Sequence, residues 1–293
     1  MTSLSIGPTS ITANLAYMKP PPSGTRAFQH TYADPLTGEH TNNFTRDDHS
    51  VVVSNIRAHS CNISGTETNL NTDSDHDSTA SLDITGFQFH HAPTTAHHAV
   101  FNSDDRIKKE YYPEAINLFK QSIRRRTPGT ADTDPTKRQP AAQTHVDQTA
   151  TSALTRLQRH IPTTLLPDLI NKRFQIVNLW RPISHSAIDY PLALCDYRSV
   201  DDEKDVFPIA LVHPGEDRSK DGETLGVRYS PRHRWVYMYG MTPEEVVLIK
   251  CFDSIQDATV AKFTPHTAFE DPTTPADTPL RESIEVRALV FYD

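Results

Sequence analysis

The residues best placed to do chemistry are His145 and Asp147, in His145-Val146-Asp147. Of the fifteen histidines, only His145 has a carboxylate two positions later. In an extended segment, residues two apart point to the same side, so imidazole and carboxylate can reach one ion. Such a pair is two thirds of the 2-His-1-carboxylate set that holds non-haem Fe(II) and leaves coordination positions open. The third ligand would be a distant histidine. His266, within Pro265-His266-Thr267-Ala268-Phe269, lies 121 positions downstream. Arg281 follows, and its planar guanidinium offers paired donors to a carboxylate. Ser283 would share its face on a strand and add a hydroxyl, and Arg287 points the same way as a reserve carboxylate partner. Ligand pair, distant histidine, then arginine is the order expected of an iron enzyme that also binds a dicarboxylate.

Simpler readings compete with each of these. Among fifteen histidines, one His-x-Asp can arise by chance. His266 could be a capping or loop histidine, and Arg281 could pair with Glu282 or Asp277 at the surface. His90-His91 and His97-His98 have no carboxylate at ligand spacing and are predicted to be solvated loop histidines. Cys195 and Cys251 lie in apolar runs, where buried inert thiols are the default. Asn178-Leu179-Trp180-Arg181-Pro182 is unusual for a core strand, because each buried polar group needs a partner. At least one of Trp180 and Arg181 is predicted to line a cavity near the metal; the rival reading is a structural Trp with a surface Arg. No G-x-S-x-G, Gly-rich phosphate loop or Walker motif is present.

These residues need elements to position them. Ser10–Tyr17, Val51–Ile56, Phe174–Trp180, Leu192–Asp196, Arg234–Tyr239, Val246–Phe252 and Ile284–Tyr292 read as short strands between Pro, Gly and Asp turns. Ala153, Leu154, Leu157 and Ile161 recur at helical steps, so 149–172 is predicted to be helical, divided by Pro162 and Pro167. A second helix is expected from about Pro113. Many short strands with irregular loops point to an all-β core with flanking helices, a sandwich or jelly roll rather than a parallel α/β sheet. The chain reads as one domain over 1–293. Residues 1–105 form a polar N-terminal part with a loop insertion at about 60–80, and 140–293 form the metal-binding β core.

Bulk properties narrow the function classes. The 293 residues carry a net charge of −8, and the pI is near 6.0. That argues against a nucleic-acid surface. No run of about 18 apolar residues suggests a membrane span. The N-terminus lacks the basic and apolar regions of a signal peptide. Cys61, Cys195 and Cys251 are odd in number and widely spaced, which suits a reducing cytoplasm and neither a zinc ribbon nor a disulfide framework.

Longer motifs, in order, carry a resemblance. They are Pro20-Pro21-Pro22, Leu82-Asp83 with Gly86-Phe87, Tyr111-Tyr112-Pro113-Glu114, His145 to Gln148, Asn178 to Pro182 and Pro191 to Asp196. His233-Arg234-Trp235, Lys250 to Ser254, Pro265 to Phe269 and Arg281 to Phe291 complete the set. Together they resemble the fungal asaB hydroxylase/desaturase family, which includes gibberellin desaturase and is related to a chain of the bacterial cephem methoxylase system. The resemblance spans nearly the whole chain. It implies a double-stranded β-helix (jelly-roll, cupin-like) and Fe(II)/2-oxoglutarate-dependent hydroxylation or desaturation of a small secondary metabolite by O2. It assigns His145, Asp147 and His266 to the metal and Arg281 to the 2-oxoglutarate carboxylate. Leu70–Thr79 looks like an insertion, and the link Lys120 to Arg124 looks shorter than the family's strand-bearing segment. Two other functions share such a fold: a non-catalytic subunit or binding protein, and a redox-neutral cupin-like metal enzyme.

Overall fold

The computed structural model describes residues 6–31, 41–60, 80–94, 100–101, 103–107, 120–125, 139–213 and 222–292. They form two β-sheets. The strands are β1 (Ser10–Lys19), β2 (Ala27–His30), β3 (Thr45–Asn55), β4 (Phe87–His91), β5 (Lys120–Arg125), β6 (His145–Val146) and β7 (Phe174–Pro182). They continue as β8 (Leu192–Cys195), β9 (Val206–Val212), β10 (Gly222–Val227), β11 (Trp235–Tyr237), β12 (Glu245–Asp253), β13 (His266–Ala268) and β14 (Glu282–Phe291). The first sheet has nine strands in the order β1-β3-β11-β8-β13-β6-β10-β9-β2, and the second has five in the order β4-β12-β7-β14-β5. Pairing is antiparallel except for β11 with β3 and β2 with β9. Ala16 of β1 bridges Gln143, just before β6, so the larger sheet curls back on itself. This mostly antiparallel, curled double sheet is a double-stranded β-helix, the fold expected from the sequence.

Alternation explains the packing. On β7 Trp180 faces the space between the sheets, and it packs with Leu194 of β8 and with Val247 and Ile249 of β12. The odd positions of β1 (Ile11, Ala13, Leu15, Tyr17) join Ala193, Cys195 and Trp235 in a second core on the other face of the larger sheet. Thus strands from the polar N-terminal part complete the sheet that carries His145.

The helices are short: α1 (Ile56–Ser60), α2 (Asp104–Arg106), α3 (Ala150–His160) and α4 (Leu166–Leu169). α3 starts with a capping box, in which the Thr149 side chain accepts from Ser152 N and the Ser152 hydroxyl accepts from Thr149 N. Such caps contribute about 1 kcal/mol. Ala153 and Leu157 are buried against Ile176, Cys251 and Phe252, whereas Leu154 faces outward. α3 ends before Pro162, as the sequence predicts.

One expectation changes. His90 and His91 are not in a loop: they end β4, opposite Val246 and Glu245 of β12. Phe87 and Phe89 anchor that strand inward and leave both histidines exposed. The segment Lys120–Arg125 is a strand, paired with β14 from Arg287 to Glu282. The helix expected from about Pro113, the insertion Leu70–Thr79, His97-His98 and Cys61 lie outside the described residues.

Candidate metal centre

His145 opens β6, and His266 opens β13, its direct antiparallel partner. Directly opposed residues share a face, so the sheet itself brings the two imidazoles together, with ring centroids 4.5 Å apart. Asp147 follows β6. His145 Nε2 lies 3.5 Å from Asp147 Oδ1, and His266 Nε2 lies 3.8 Å from Asp147 Oδ2. One donor atom from each residue falls within 4.8 Å of the others.

The tautomers follow from the backbone. His145 Nδ1 is 2.6 Å from the Gln143 carbonyl, and His266 Nδ1 is 3.0 Å from the Thr264 carbonyl. A carbonyl only accepts, so each Nδ1 carries a proton, and Nε2 is the nitrogen turned toward Asp147, the one that would bind an ion in the neutral ring. Metal-binding histidines are characteristically held this way, with the second nitrogen tied to a carbonyl or carboxylate. The donor set therefore fits a divalent ion of the Fe(II) type.

Asp147 is held from the opposite sheet. Its Oδ2 accepts from Arg287 Nη2 at 2.6 Å and from Asn178 Nδ2 at 2.6 Å. Arg287 Nε donates to Asn178 Oδ1 at 2.8 Å, which closes a triangle. Asn178 and Arg287 are opposed on β7 and β14, so pairing places both. The Cys251 thiol also donates to Oδ2, at 3.6 Å. Cys251 sits where the β12 register shifts against β7, a bulge that re-aims side chains. Burial acts to raise the Asp147 carboxyl, but the Arg287 charge and the two histidines hold it well below the usual carboxylate range. Burial pushes the Cys251 thiol up, and the neighbouring Asp147 adds to this.

Arg281 is not at the surface. It is buried just before β14, its backbone N–H donates to Asp189 Oδ2 at 3.0 Å, and its guanidinium donates to the Tyr190 carbonyl. That guanidinium lies 5.5 Å from the centre of the Trp180 ring. Trp180 in turn lines a small apolar cavity with Leu192, Leu194, Met238, Met241 and Val247. Leu194 is the β8 partner of His266, so this cavity and the ligand share the space between the sheets. Ser283 is fully buried, and its hydroxyl has no hydrogen-bond partner. A buried orphan of this kind is uncommon and points to a missing ligand. Arg181 alternates to the other face of β7, where it donates to the Ala92 carbonyl at 2.5 Å. It does not join the group around Asp147.

Asn178 and Cys251 went unassigned at the sequence level, although Asn178 stood in the segment singled out for its buried polar residues. A partly buried ionic cluster also adjoins the site. The fully buried Lys250 Nζ pairs with Asp253 Oδ2 at 2.7 Å and with Asp83 Oδ1 at 2.8 Å. Arg173 binds both carboxylates. The Lys250 carbonyl accepts from Thr264 N at 2.8 Å, and Thr264 is the residue whose carbonyl holds His266. The motifs Leu82-Asp83 and Lys250 to Ser254 thus converge one residue away from a ligand's anchor.

A double-stranded β-helix that gathers two histidines and one carboxylate between its sheets defines the architectural class of the molecule. Comparison with known proteins agrees. A family model described as Oxidoreductase/YMDC permease-like domain matches residues 15–291. Among curated proteins, the hydroxylase/desaturase efuI of Hormonema carpetanum is 33% identical over 242 residues, covering 73% of this chain and 79% of that protein. The hydroxylase/desaturase asaB of Aspergillus flavus is 44% identical over 134 residues, covering 43% of this chain and 58% of that protein. The chain belongs to this family of fungal hydroxylase/desaturases. In solved structures, the iron and alpha-ketoglutarate-dependent endoperoxidase NvfI superposes with a TM-score of 0.78 at 20% identity, covering 98% of this chain and 99% of that one. No helix among the described residues is long and apolar enough to cross a membrane.

Proposed function

We propose that this protein is an Fe(II)/2-oxoglutarate-dependent oxygenase that hydroxylates or desaturates a small secondary metabolite in the cytoplasm. The observation that carries the reading is the pair of carbonyl-anchored imidazoles, whose Nε2 atoms converge with Asp147. His145, Asp147 and His266 hold the metal. Fe(II) held there would supply the chemistry by which O2 oxidises 2-oxoglutarate to succinate and CO2 and an unactivated C–H bond is hydroxylated or desaturated, one oxygen atom ending in succinate and the other in a new hydroxyl or in water.

The chain's own residues bind, orient and exclude water. Arg281 and Ser283 suit the far carboxylate of 2-oxoglutarate, since a buried anion needs a charged partner and the Ser283 hydroxyl lacks one. Arg287 is less suited to that task, because it is already committed to Asp147. Trp180 and the leucines beside it form a dry wall, which strengthens the electrostatic contacts inside. Arg181 faces away and has no part in this scheme. O2 and an organic small molecule are the expected partners; neither nucleic acid nor membrane enters the reading.

The test is to load purified, metal-stripped protein with Fe(II) and follow 2-oxoglutarate consumption and succinate release, with and without O2. One Fe(II) per chain and slow O2-dependent succinate formation without added substrate support the reading. One bound metal with no 2-oxoglutarate turnover would turn it toward a binding protein of the same fold.

A further inference from the structure

We propose that Arg287 and Asn178 are positioning residues that restrict Asp147 to binding metal through a single oxygen. This deepens the metal-site reading above and depends on it. A carboxylate has two oxygens and about four acceptor sites. In Asp147 they are used unequally. Oδ2 receives Arg287 Nη2, Asn178 Nδ2 and the Cys251 thiol and lies 3.8 Å from His266 Nε2, whereas Oδ1 faces the Nε2 of His145 at 3.5 Å. The Arg287–Asn178 bond locks both donors, and it also fixes the amide orientation, because only Asn178 Oδ1 can accept from Nε. Oδ2 is therefore saturated by protein donors and Oδ1 remains for an ion.

The consequence is a coordination number. An ion held by both oxygens of Asp147 would lose one of the open positions that a bidentate co-substrate and O2 require. Hydrogen bonds on Oδ2 oppose that closure. They also give the carboxylate a partner before metal arrives, when a lone buried charge would be costly. Asp147 is reached from β7 and β14, so its rotamer is set by the sheet opposite the one that carries His145 and His266.

The experiment uses Co(II) as the probe, with the metal-stripped full chain and its variants Asn178→Leu, Arg287→Met and Arg287→Lys. Affinity is read by titration, coordination number by the Co(II) visible absorption, and fold by the melting temperature. Asn178→Leu and Arg287→Met should bind Co(II) about 10–100-fold more weakly, the usual effect of losing a partner of a metal ligand. Their absorption should change from the wild-type shape as the second oxygen joins. Arg287→Lys should recover part of the affinity. If Arg287→Met does not fold, Asn178→Leu and Arg287→Lys decide the matter. Wild-type affinity and absorption in the folded variants would overturn the proposal, as would a lowered melting temperature with metal binding intact. Failure of the metal reading itself looks different: the unmutated chain would take up no Co(II), or Asp147→Ala would still bind it.

Discussion

Asp147 and Arg287 meet across the two sheets, with Arg287 Nη2 2.6 Å from Asp147 Oδ2 and both side chains at least 85% shielded from solvent. The pair joins the sheet that bears the histidines to the sheet that does not. Its loss should therefore be felt in both metal binding and stability.

Replacing Asp147 by Ala should abolish tight Fe(II) or Co(II) binding. It also leaves Arg287 buried without its main counter-charge. Breaking a buried pair from one side costs about 3–5 kcal/mol. Thermal unfolding of the metal-free protein should show the loss, and Asp147→Asn should be milder because it keeps one acceptor oxygen. Equal melting temperatures for Asp147→Ala and the unmutated chain would refute the structural half of this expectation.

Arg281→Ala should weaken 2-oxoglutarate binding by about 1.5–3 kcal/mol, the worth of a charged hydrogen bond, while metal uptake survives. Ser283→Ala should cost less, about 0.5–1.5 kcal/mol. Titrating 2-oxoglutarate into Fe(II)-loaded protein without O2 measures both. Should Arg281→Ala bind normally and only Arg287→Ala fail, the carboxylate partner is Arg287.

Lys250→Met should destabilise the fold by about 3–5 kcal/mol, because Asp253 stays buried beside a missing ammonium. Denaturant titration checks it. The Lys250 carbonyl that holds Thr264 belongs to the backbone and remains in this variant, so a loss of metal affinity would report a shift of that backbone and, through it, of His266. A stability loss with unaltered metal affinity would confine the cluster to folding.

Stability should fall in acid. Asp83 lies in the same cluster, and although burial acts to raise it, Arg173 and Lys250 lower its carboxyl to about 2. Asp253 and Asp147 are depressed as well. A carboxyl depressed by folding contributes stability above its unfolded value, about 3.9, and loses it as pH falls through the folded value. Melting temperature should therefore hold steady near pH 5–6 and drop steeply from about pH 4 toward pH 2. A flat profile across that window would contradict the ion pairing described above.

Much of this was readable from the chain. The runs Phe174–Trp180 and Ile284–Tyr292 read as strands because they are apolar and bounded by turn residues, and the structure has strands there over Phe174–Pro182 and Glu282–Phe291. β6 and β13, with two and three residues, are too short to show such a run. They were located only through the histidines they carry. His145, Asp147 and His266 were legible as residue types in order. Their partners were not, since Asn178 and Arg287 reach Asp147 from 31 and 140 positions away through sheet register. His90 and His91 were misjudged because their polarity reflects an exposed strand end rather than a loop.

The two histidines share one local device. Each is steadied by the carbonyl two residues before it, Gln143 for His145 and Thr264 for His266. Each ligand thus brings its own compass within three residues of chain, and the cross-strand pairing sets the two compasses side by side. The metal's frame of reference is written in short peptides, separate from the long loops that would shape a substrate. One such frame could serve many substrates, with the loops redrawn around an unaltered pair of needles.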